Sequence, residues 1–222
     1  MGKMIELTAS DGHRLAAYRA EPPGQARGGV VVIQEIFGVN SHIKAVSDGF
    51  AADGYVAIAP AMFDRVERNV DLGYTAETVA AGRELRAKVA TDDAMVDVAA
   101  AVAAAAPSGK VGIVGYCWGG FVVWMAAARV DGLSAAVSYY GAGVVESAGE
   151  RPRCPTMVHF GERDSISPPD KIAAFAAAHP THPVHVYAAD HGFNCDPRGS
   201  YDAPSAALAR ERTLDFFRRH VG

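Results

Sequence analysis

The stretch Lys110–Gly120, KVGIVGYCWGG, decides the fold of this 222-residue chain. Its first half, Val111–Val114, is short, apolar and rich in β-branched residues, which predicts a buried strand. Cys117 follows between glycines, and the apolar run Phe121–Ala128 then predicts a helix. Strand, sharp turn and helix form a nucleophile elbow, with cysteine where serine is more usual. The helix dipole favours a thiolate there, so Cys117 is interpreted as a nucleophile, and a structural cysteine beside a glycine-rich turn is the alternative.

The composition restricts the class of protein. Half of the residues are hydrophobic (50%) and 21% are charged, which in a chain of this length predicts a single α/β domain over residues 1–222. The net charge of −4 argues against a basic nucleic-acid-binding surface. No apolar run is long enough for a membrane helix, and the start lacks a signal-peptide core. Three cysteines without paired spacing argue against disulfides. We therefore expect a cytoplasmic protein, a monomer or weak dimer, that binds neither membrane nor nucleic acid.

Strands and helices alternate along the rest of the chain. Ile5–Thr8 and Leu15–Arg19 predict an N-terminal antiparallel hairpin joined by an Asp-Gly turn. The aperiodic segment Met62–Tyr74 predicts a long loop over the site. This order predicts an α/β fold with a mostly parallel central sheet and helices on both faces. The further predicted strands are Val30–Ile33, Tyr55–Ala59, Leu133–Tyr140, Thr156–Phe160 and Val184–Tyr187, and the predicted helices are Ser41–Ala52, Ala76–Ala105 with a break near Thr91, Pro168–Ala178 and Ser205–Arg219.

Reactive residues follow three of these strands, at the edge where ligands bind in parallel sheets. Asp164 and His191 come just after the last two strands, so Cys117, Asp164 and His191 stand in the order of the α/β-hydrolase fold. We predict that Cys117 attacks a carbonyl carbon, that His191 takes and returns the proton, and that Asp164 orients the imidazole. The alternative for Asp164 is a turn aspartate before Ser165.

Glu35 and Ile36 follow the strand Val30–Ile33. The backbone N–H groups of Ile36 and Trp118 are the expected oxyanion donors. Glu35 is a candidate general base or thiol partner, because a carboxylate at the end of a buried strand is costly unless paired; a solvated loop glutamate is the alternative. Metal binding is not expected, since no histidine or cysteine spacing supports it.

At these residues the chain resembles the dienelactone hydrolase (carboxymethylenebutenolidase) family of α/β hydrolases. The resemblance implies the triad Cys117, Asp164 and His191, without metal or organic cofactor. It also implies that Glu35 pairs with a neutral resting thiol and takes its proton when substrate arrives. The family hydrolyses dienelactone, a cyclic enol ester from chloroaromatic degradation, to maleylacetate. The resemblance is carried by QEIFGVN at 34–40, Gly54-Tyr55, Ala59-Pro60, Gly112–Gly120, Tyr139–Gly141, Gly161 with Asp164, HGF at 191–193 and RTLDFF at 212–217.

The arginines depart from the family pattern. An arginine four residues after the catalytic histidine binds the lactone carboxylate in the family, but Cys195 stands there in this chain. Arg198 is the nearest substitute, and Arg83 or Arg86 is the candidate for a second arginine in the preceding helical region. Because an Arg–carboxylate pair depends on geometry, the substrate is less well defined than the reaction. The expected substrate-binding set is Phe37, Phe193, Arg198 and Arg83.

The sequence thus predicts a cofactor-independent hydrolase that acts on a small lactone or ester through a cysteine acyl-enzyme. A general carboxylesterase or thioesterase with the same triad, acting on a neutral substrate, is the alternative. A thiol-redox protein is disfavoured by the absence of a C-x-x-C motif. A non-catalytic binding module would require five separate sites to match by chance.

Overall fold

Eight strands form one sheet in residues 2–222, the part of the chain that the computed structural model describes. The sheet order is β1-β2-β4-β3-β5-β6-β7-β8. β1 and β2 pair antiparallel, as do β2 and β4, and the remaining neighbours are parallel. The predicted mostly parallel sheet with an antiparallel N-terminal hairpin is therefore confirmed. The strands are β1 Lys3–Thr8, β2 Arg14–Ala20, β3 Gly29–Ile33, β4 Val56–Pro60, β5 Val111–Tyr116, β6 Leu133–Tyr139, β7 Thr156–Gly161 and β8 Val184–Tyr187.

Six α-helices connect and cover the strands within residues 2–222. The predicted break near Thr91 is confirmed, because one helix ends at Lys88 and the next begins at Thr91. Asn40 caps the first helix by accepting a hydrogen bond from the Ile43 N–H at 3.2 Å. The helices are α1 Ser41–Ala52, α2 Ala76–Lys88, α3 Thr91–Ala105, α4 Trp118–Arg129, α5 Pro169–Ala178 and α6 Ala203–His220.

The central strands are buried on both faces because successive side chains point to opposite sides of the sheet. In β3, Val31 and Ile33 pack in one hydrophobic core with residues of α3, α4 and α5. Val30 and Val32 pack in a second core with residues of α1 and α6. A strand enclosed in this way needs an unbroken apolar sequence, which explains why β3 and β5 were recognisable as continuous runs.

This architecture brings the candidate residues to one edge of the sheet. Glu35, Cys117, Asp164 and His191 all follow the carboxyl ends of strands, which is where open parallel sheets bind their ligands. The segment Met62–Tyr74 forms no helix or strand, only turns and one isolated bridge, as expected for a loop. No helix within residues 2–222 combines the length and the apolar character that crossing a membrane requires.

Candidate active site

Cys117 occupies the sharp turn between β5 and α4. Its backbone has φ 55° and ψ −118°, a conformation that non-glycine residues rarely adopt. The turn is held by the Cys117 N–H, which donates to the Tyr139 carbonyl at 3.0 Å, and by the Cys117 carbonyl, which accepts from the Gly120 N–H at 2.9 Å. A side chain at Gly115 would overlap the Gly119 carbonyl, so the elbow requires glycine there.

Asp164 orients His191 through a short hydrogen bond. The His191 Nδ1 lies 2.8 Å from one carboxylate oxygen of Asp164, and the other oxygen accepts a bond from the Ile166 N–H at 2.9 Å. Asp164 is therefore both a turn aspartate and the hydrogen-bond partner of His191, so the two interpretations of this residue are compatible. Because Nδ1 faces Asp164, the opposite ring nitrogen is left for Cys117, which lines the same cavity as His191.

The charge state of His191 follows from these two neighbours. Burial by itself would lower the pKa of His191, but the charge of Cys117 and the hydrogen bond that the ring donates to Asp164 raise it to about 10. The imidazole therefore carries a proton at neutral pH when the sulfur is a thiolate. The resemblance instead implies a neutral resting thiol, a state in which this influence of the sulfur charge on the pKa of His191 is absent.

Glu35 is buried, with 1% of its surface exposed, which rules out a solvated loop glutamate. One carboxylate oxygen, Oε1, lies 3.2 Å from Nη1 of Arg198, and the other, Oε2, has no hydrogen-bond partner among the described residues. The ion partner of Glu35 in this structure is thus Arg198, whereas the resemblance implies a pairing with Cys117. Arg198, seven residues after His191, reaches the carboxylate that flanks the site.

Two backbone N–H groups meet the requirements of an oxyanion hole. Trp118 is the first residue of α4, so its N–H has no partner within the helix. The Ile36 N–H also makes no hydrogen bond within residues 2–222. Both residues line the cavity that contains Cys117 and His191. This placement agrees with the predicted pair of donors.

The cavity that Cys117 lines has a volume of about 220 Å³, and three arginines are among its lining residues. Arg83 and Arg86 line it from α2. This helix packs closely against the Ile36 carbonyl because Gly82 has no side chain, and a Cβ at that position would overlap the carbonyl. Within residues 2–222 neither arginine has a carboxylate partner within 4.0 Å. The complete lining comprises Ile36, Phe37, Val79, Arg83, Arg86, Cys117, Trp118, Ala142, Ile166, His191 and Arg198.

The structure separates the predicted substrate-binding residues into two groups. Phe37, Arg83 and Arg198 line the cavity, as predicted. The prediction for Phe193 is wrong, because this side chain is fully buried and packs against aromatic rings, with centroids 5.3 Å from Tyr140 and 5.2 Å from Tyr187. Its adjacency to His191 in sequence does not place it on the cavity side of the loop.

Sequence analysis did not identify the surroundings of Glu35. Glu35, His42 and Cys195 form a buried group whose ligand-type atoms all lie within 4.8 Å of one another. The Tyr74 hydroxyl also lies beside Cys195 and accepts a hydrogen bond from Asn40 Nδ2 at 3.0 Å. These residues come from separate elements, so only the fold brings them together. No spacing within one segment could have signalled this group.

Comparisons with known proteins identify the family. The model of the "Dienelactone hydrolase family" matches residues 15–221. A protein of Synechocystis sp. named "Putative carboxymethylenebutenolidase" is 37% identical over 94% of this chain and 93% of its own length. A protein of the same name from Yersinia pestis is 36% identical over 95% of this chain and 86% of its own.

Solved structures agree with this assignment. The crystal structure titled "Putative Dienelactone Hydrolase" from Klebsiella pneumoniae has a TM-score of 0.84 and 31% identity, and the match covers 98% of this chain and 100% of that one. A "Dienelactone Hydrolase-like" phosphotriesterase, P91, shares the fold with a TM-score of 0.80 at 22% identity, over 100% and 99% of the two chains. With a nucleophile elbow, a carboxylate-oriented histidine and this likeness over nearly its whole length, the chain belongs to the dienelactone hydrolase family and is a hydrolase of carboxylic ester bonds.

Proposed function

We propose that this hydrolase cleaves a small lactone or ester that carries a carboxylate, through an acyl-thioester on Cys117. The observation that carries the proposal is the cavity of about 220 Å³, which Arg83, Arg86 and Arg198 line together with Cys117. Guanidinium groups bind carboxylates in bidentate geometry, and two of these three have no acidic partner within residues 2–222. A substrate carboxylate would supply an acidic partner to Arg83 and Arg86, both of which are exposed residues.

The reaction uses the residues in two halves. The Cys117 thiolate attacks the carbonyl carbon, the oxyanion is held by the N–H groups of Ile36 and Trp118, and the C–O bond breaks. His191 gives its proton to the departing oxygen. A water molecule then attacks the thioester, His191 takes a proton from it, and the thiolate leaves. The products are a carboxylic acid and an alcohol, or the ketone that forms from an enol.

Glu35 has a role that depends on Arg198. A substrate carboxylate that binds Arg198 competes with Glu35 for the same guanidinium, which lies 3.2 Å from it. Glu35 then becomes available to take a proton from any Cys117 that is still a neutral thiol. This route agrees with the role that the family resemblance implies. On that resemblance the substrate is dienelactone itself, and the setting is the degradation of aromatic compounds.

The arginines provide the test of substrate class. We expect a carboxylate-bearing lactone to exceed its methyl ester in kcat/KM. Arg83→Gln and Arg86→Gln should each reduce this preference by about 10- to 100-fold, since a charge-assisted hydrogen bond contributes about 1.5–3 kcal/mol. Arg151→Gln, which alters an exposed arginine outside the cavity, is the matched control. Equal kcat/KM for acid and methyl ester would refute the proposed substrate class.

A neutral ester or thioester is the second candidate substrate. It is favoured by the apolar part of the cavity lining, which includes Phe37, Val79 and Trp118. The same acid–methyl ester comparison separates the two candidates. The covalent step is tested independently: iodoacetamide should label Cys117 and abolish turnover, and Cys117→Ala should be inactive. Turnover at the wild-type rate in Cys117→Ala would exclude the acyl-enzyme for either substrate.

A further inference from the structure

Three buried side chains meet behind the catalytic cavity. Glu35 follows β3, His42 lies in the first turn of α1, and Cys195 lies in the loop after β8. Their exposed fractions are 1%, 5% and 0%, and one carboxylate oxygen, one ring nitrogen and the sulfur lie within 4.8 Å of one another. None of the three lines the cavity that contains Cys117. Polar groups of this kind are seldom buried together without a common partner.

Two atoms of the group are buried and have no hydrogen-bond partner among residues 2–222. These are Oε2 of Glu35 and Nε2 of His42. The other ring nitrogen of His42, Nδ1, lies 2.8 Å from an Asp196 carboxylate oxygen. Because Nδ1 is engaged by the Asp196 carboxylate, Nε2 is the ring nitrogen left to bind a ligand. A histidine that ligates a metal usually donates its other ring N–H to a carboxylate in the same way.

We propose that Glu35 Oε2, His42 Nε2 and Cys195 Sγ form a binding site for a borderline-soft divalent cation, with Zn²⁺ as the best fit. Nitrogen, sulfur and carboxylate oxygen are the ligands of Zn²⁺ in proteins, and three protein ligands leave a fourth position for water. Ca²⁺ and Mg²⁺ prefer sites made only of oxygen, which the imidazole and thiolate do not provide.

The charges at the site balance when a divalent cation is bound. Glu35, the Cys195 thiolate and Asp196 supply three negative charges, and the cation with Arg198 supplies three positive ones. Arg198 contacts Oε1 of Glu35, so Oε2 is available to the metal without loss of that ion pair. The positive guanidinium therefore stays paired while the cation binds on the other side of the carboxylate.

Metal binding requires only a small contraction of the group. In a tetrahedral zinc site with bonds of about 2.0–2.3 Å, ligand atoms are roughly 3.3–3.8 Å apart. The present separations of up to 4.8 Å must shorten by about 1 Å, a side-chain movement. His42 and Asp196 also line a surface pocket of about 360 Å³, which provides a path from solvent that does not cross the catalytic cavity.

Cys195 loses a proton when it binds the cation. Burial and the Glu35 charge raise the pKa of Cys195 well above its ordinary value, so its sulfur is a thiol in the free protein. On binding, the S–H bond breaks, a metal–sulfur bond forms and the proton passes to solvent buffer. No oxidation or reduction is involved. The bound cation then connects the segment after β3, the helix α1 and the loop after β8.

Co²⁺ and Zn²⁺ are the probes for this site. Cys117 is a second thiol that could bind them, so the experiment uses the full-length Cys117→Ala variant. We expect Co²⁺ to give a thiolate-to-cobalt charge-transfer band at one equivalent, and Zn²⁺ to displace it. The band should vanish with the further change Cys195→Ala and weaken at least 10-fold in affinity with His42→Gln. Cys154→Ala, which removes another buried thiol, is the matched control and should leave the band unchanged.

A direct measurement of the metal's ligand atoms tests the proposal even if one of these variants fails to fold. X-ray absorption of the Zn²⁺-loaded Cys117→Ala protein should show one sulfur at about 2.3 Å, with the remaining scatterers nitrogen or oxygen near 2.0 Å. No band at one equivalent, a band that survives Cys195→Ala, or a zinc shell without sulfur would overturn the proposal. Because the readouts are spectroscopic, these outcomes are independent of whether the proposed ester substrate is correct.

Discussion

Replacement of Arg198 tests whether the burial of Glu35 depends on this one ion pair. The carboxylate and guanidinium lie 3.2 Å apart, and the side chains are 2% and 22% exposed. At an effective dielectric constant of about 20, two unit charges at this distance attract by about 5 kcal/mol. Partial exposure of Arg198 reduces this value, and loss of one partner from a buried pair costs about 3–5 kcal/mol. We therefore expect Arg198→Met to lower the free energy of unfolding by about 3 kcal/mol.

Urea unfolding at neutral pH, followed by circular dichroism, measures this loss. Addition of Glu35→Gln to Arg198→Met should restore most of the stability, because the unpaired charge is then removed.

Arg65→Met is the matched control for this experiment. Arg65 makes a bidentate pair with the buried Asp97, at 2.9 and 2.8 Å, and neither residue lines the catalytic cavity. Its loss should cost a similar amount of stability without changing kcat or KM. Arg198→Met should change both stability and ester hydrolysis. A stability loss below about 1 kcal/mol in Arg198→Met, or additive effects in the Glu35→Gln double variant, would refute the reasoning.

Three further predictions concern the residues around the elbow and the core behind it. Cys117→Ala should lower the pKa of His191 from about 10 by at least about one unit, since the sulfur charge is lost; NMR titration of the ring measures this, and an unchanged value would contradict the pairing. Asp164→Asn should reduce kcat by about 10²- to 10⁴-fold with an intact fold, and a kcat near the wild-type value would contradict its orienting role. Thr213→Val removes a buried hydrogen bond of 2.6 Å between the Thr213 and Tyr139 hydroxyls. It should lower the free energy of unfolding, measured by urea denaturation, by about 1–3 kcal/mol and leave kcat unchanged. Wild-type stability would show that this hydrogen bond contributes little.

The fold was predictable because its strands are enclosed on both sides. A strand such as β3, with all five residues Gly29–Ile33 buried, has an unbroken apolar sequence that is easily distinguished from the amphipathic helix Ser41–Ala52. The placement of Cys117, Asp164 and His191 at one edge of the sheet was predictable for a related reason. Because parallel strands end at the same sheet edge, the chain order of Cys117, Asp164 and His191 is enough to predict that they meet.

The partners of the site residues were less predictable, because they depend on side-chain direction across separate elements. Phe193 follows His191 by two residues yet points into an aromatic core. Arg198 reaches Glu35 from a position three residues beyond the one that the family pattern suggests. His42 and Cys195 lie far apart in sequence, and only the approach of α1 to the loop after β8 places both beside Glu35. Sequence spacing carries no information on such contacts.

Cys117 lies in the cavity with His191, whereas Glu35 pairs with Arg198. The charge of the sulfur therefore acts on His191, which bears on how one histidine serves both halves of the reaction. With the thiolate beside it, His191 has a pKa of about 10 and is a proton donor at neutral pH, as the departing oxygen requires. In the mechanism that we propose, acylation would remove the charge from the sulfur and with it the largest influence that raises this pKa. Burial, which acts in the opposite direction, then lowers the pKa of His191 towards neutrality, where an imidazole can take a proton from water. The Asp164 carboxylate remains in place throughout, so the change from acid to base requires no movement of the ring.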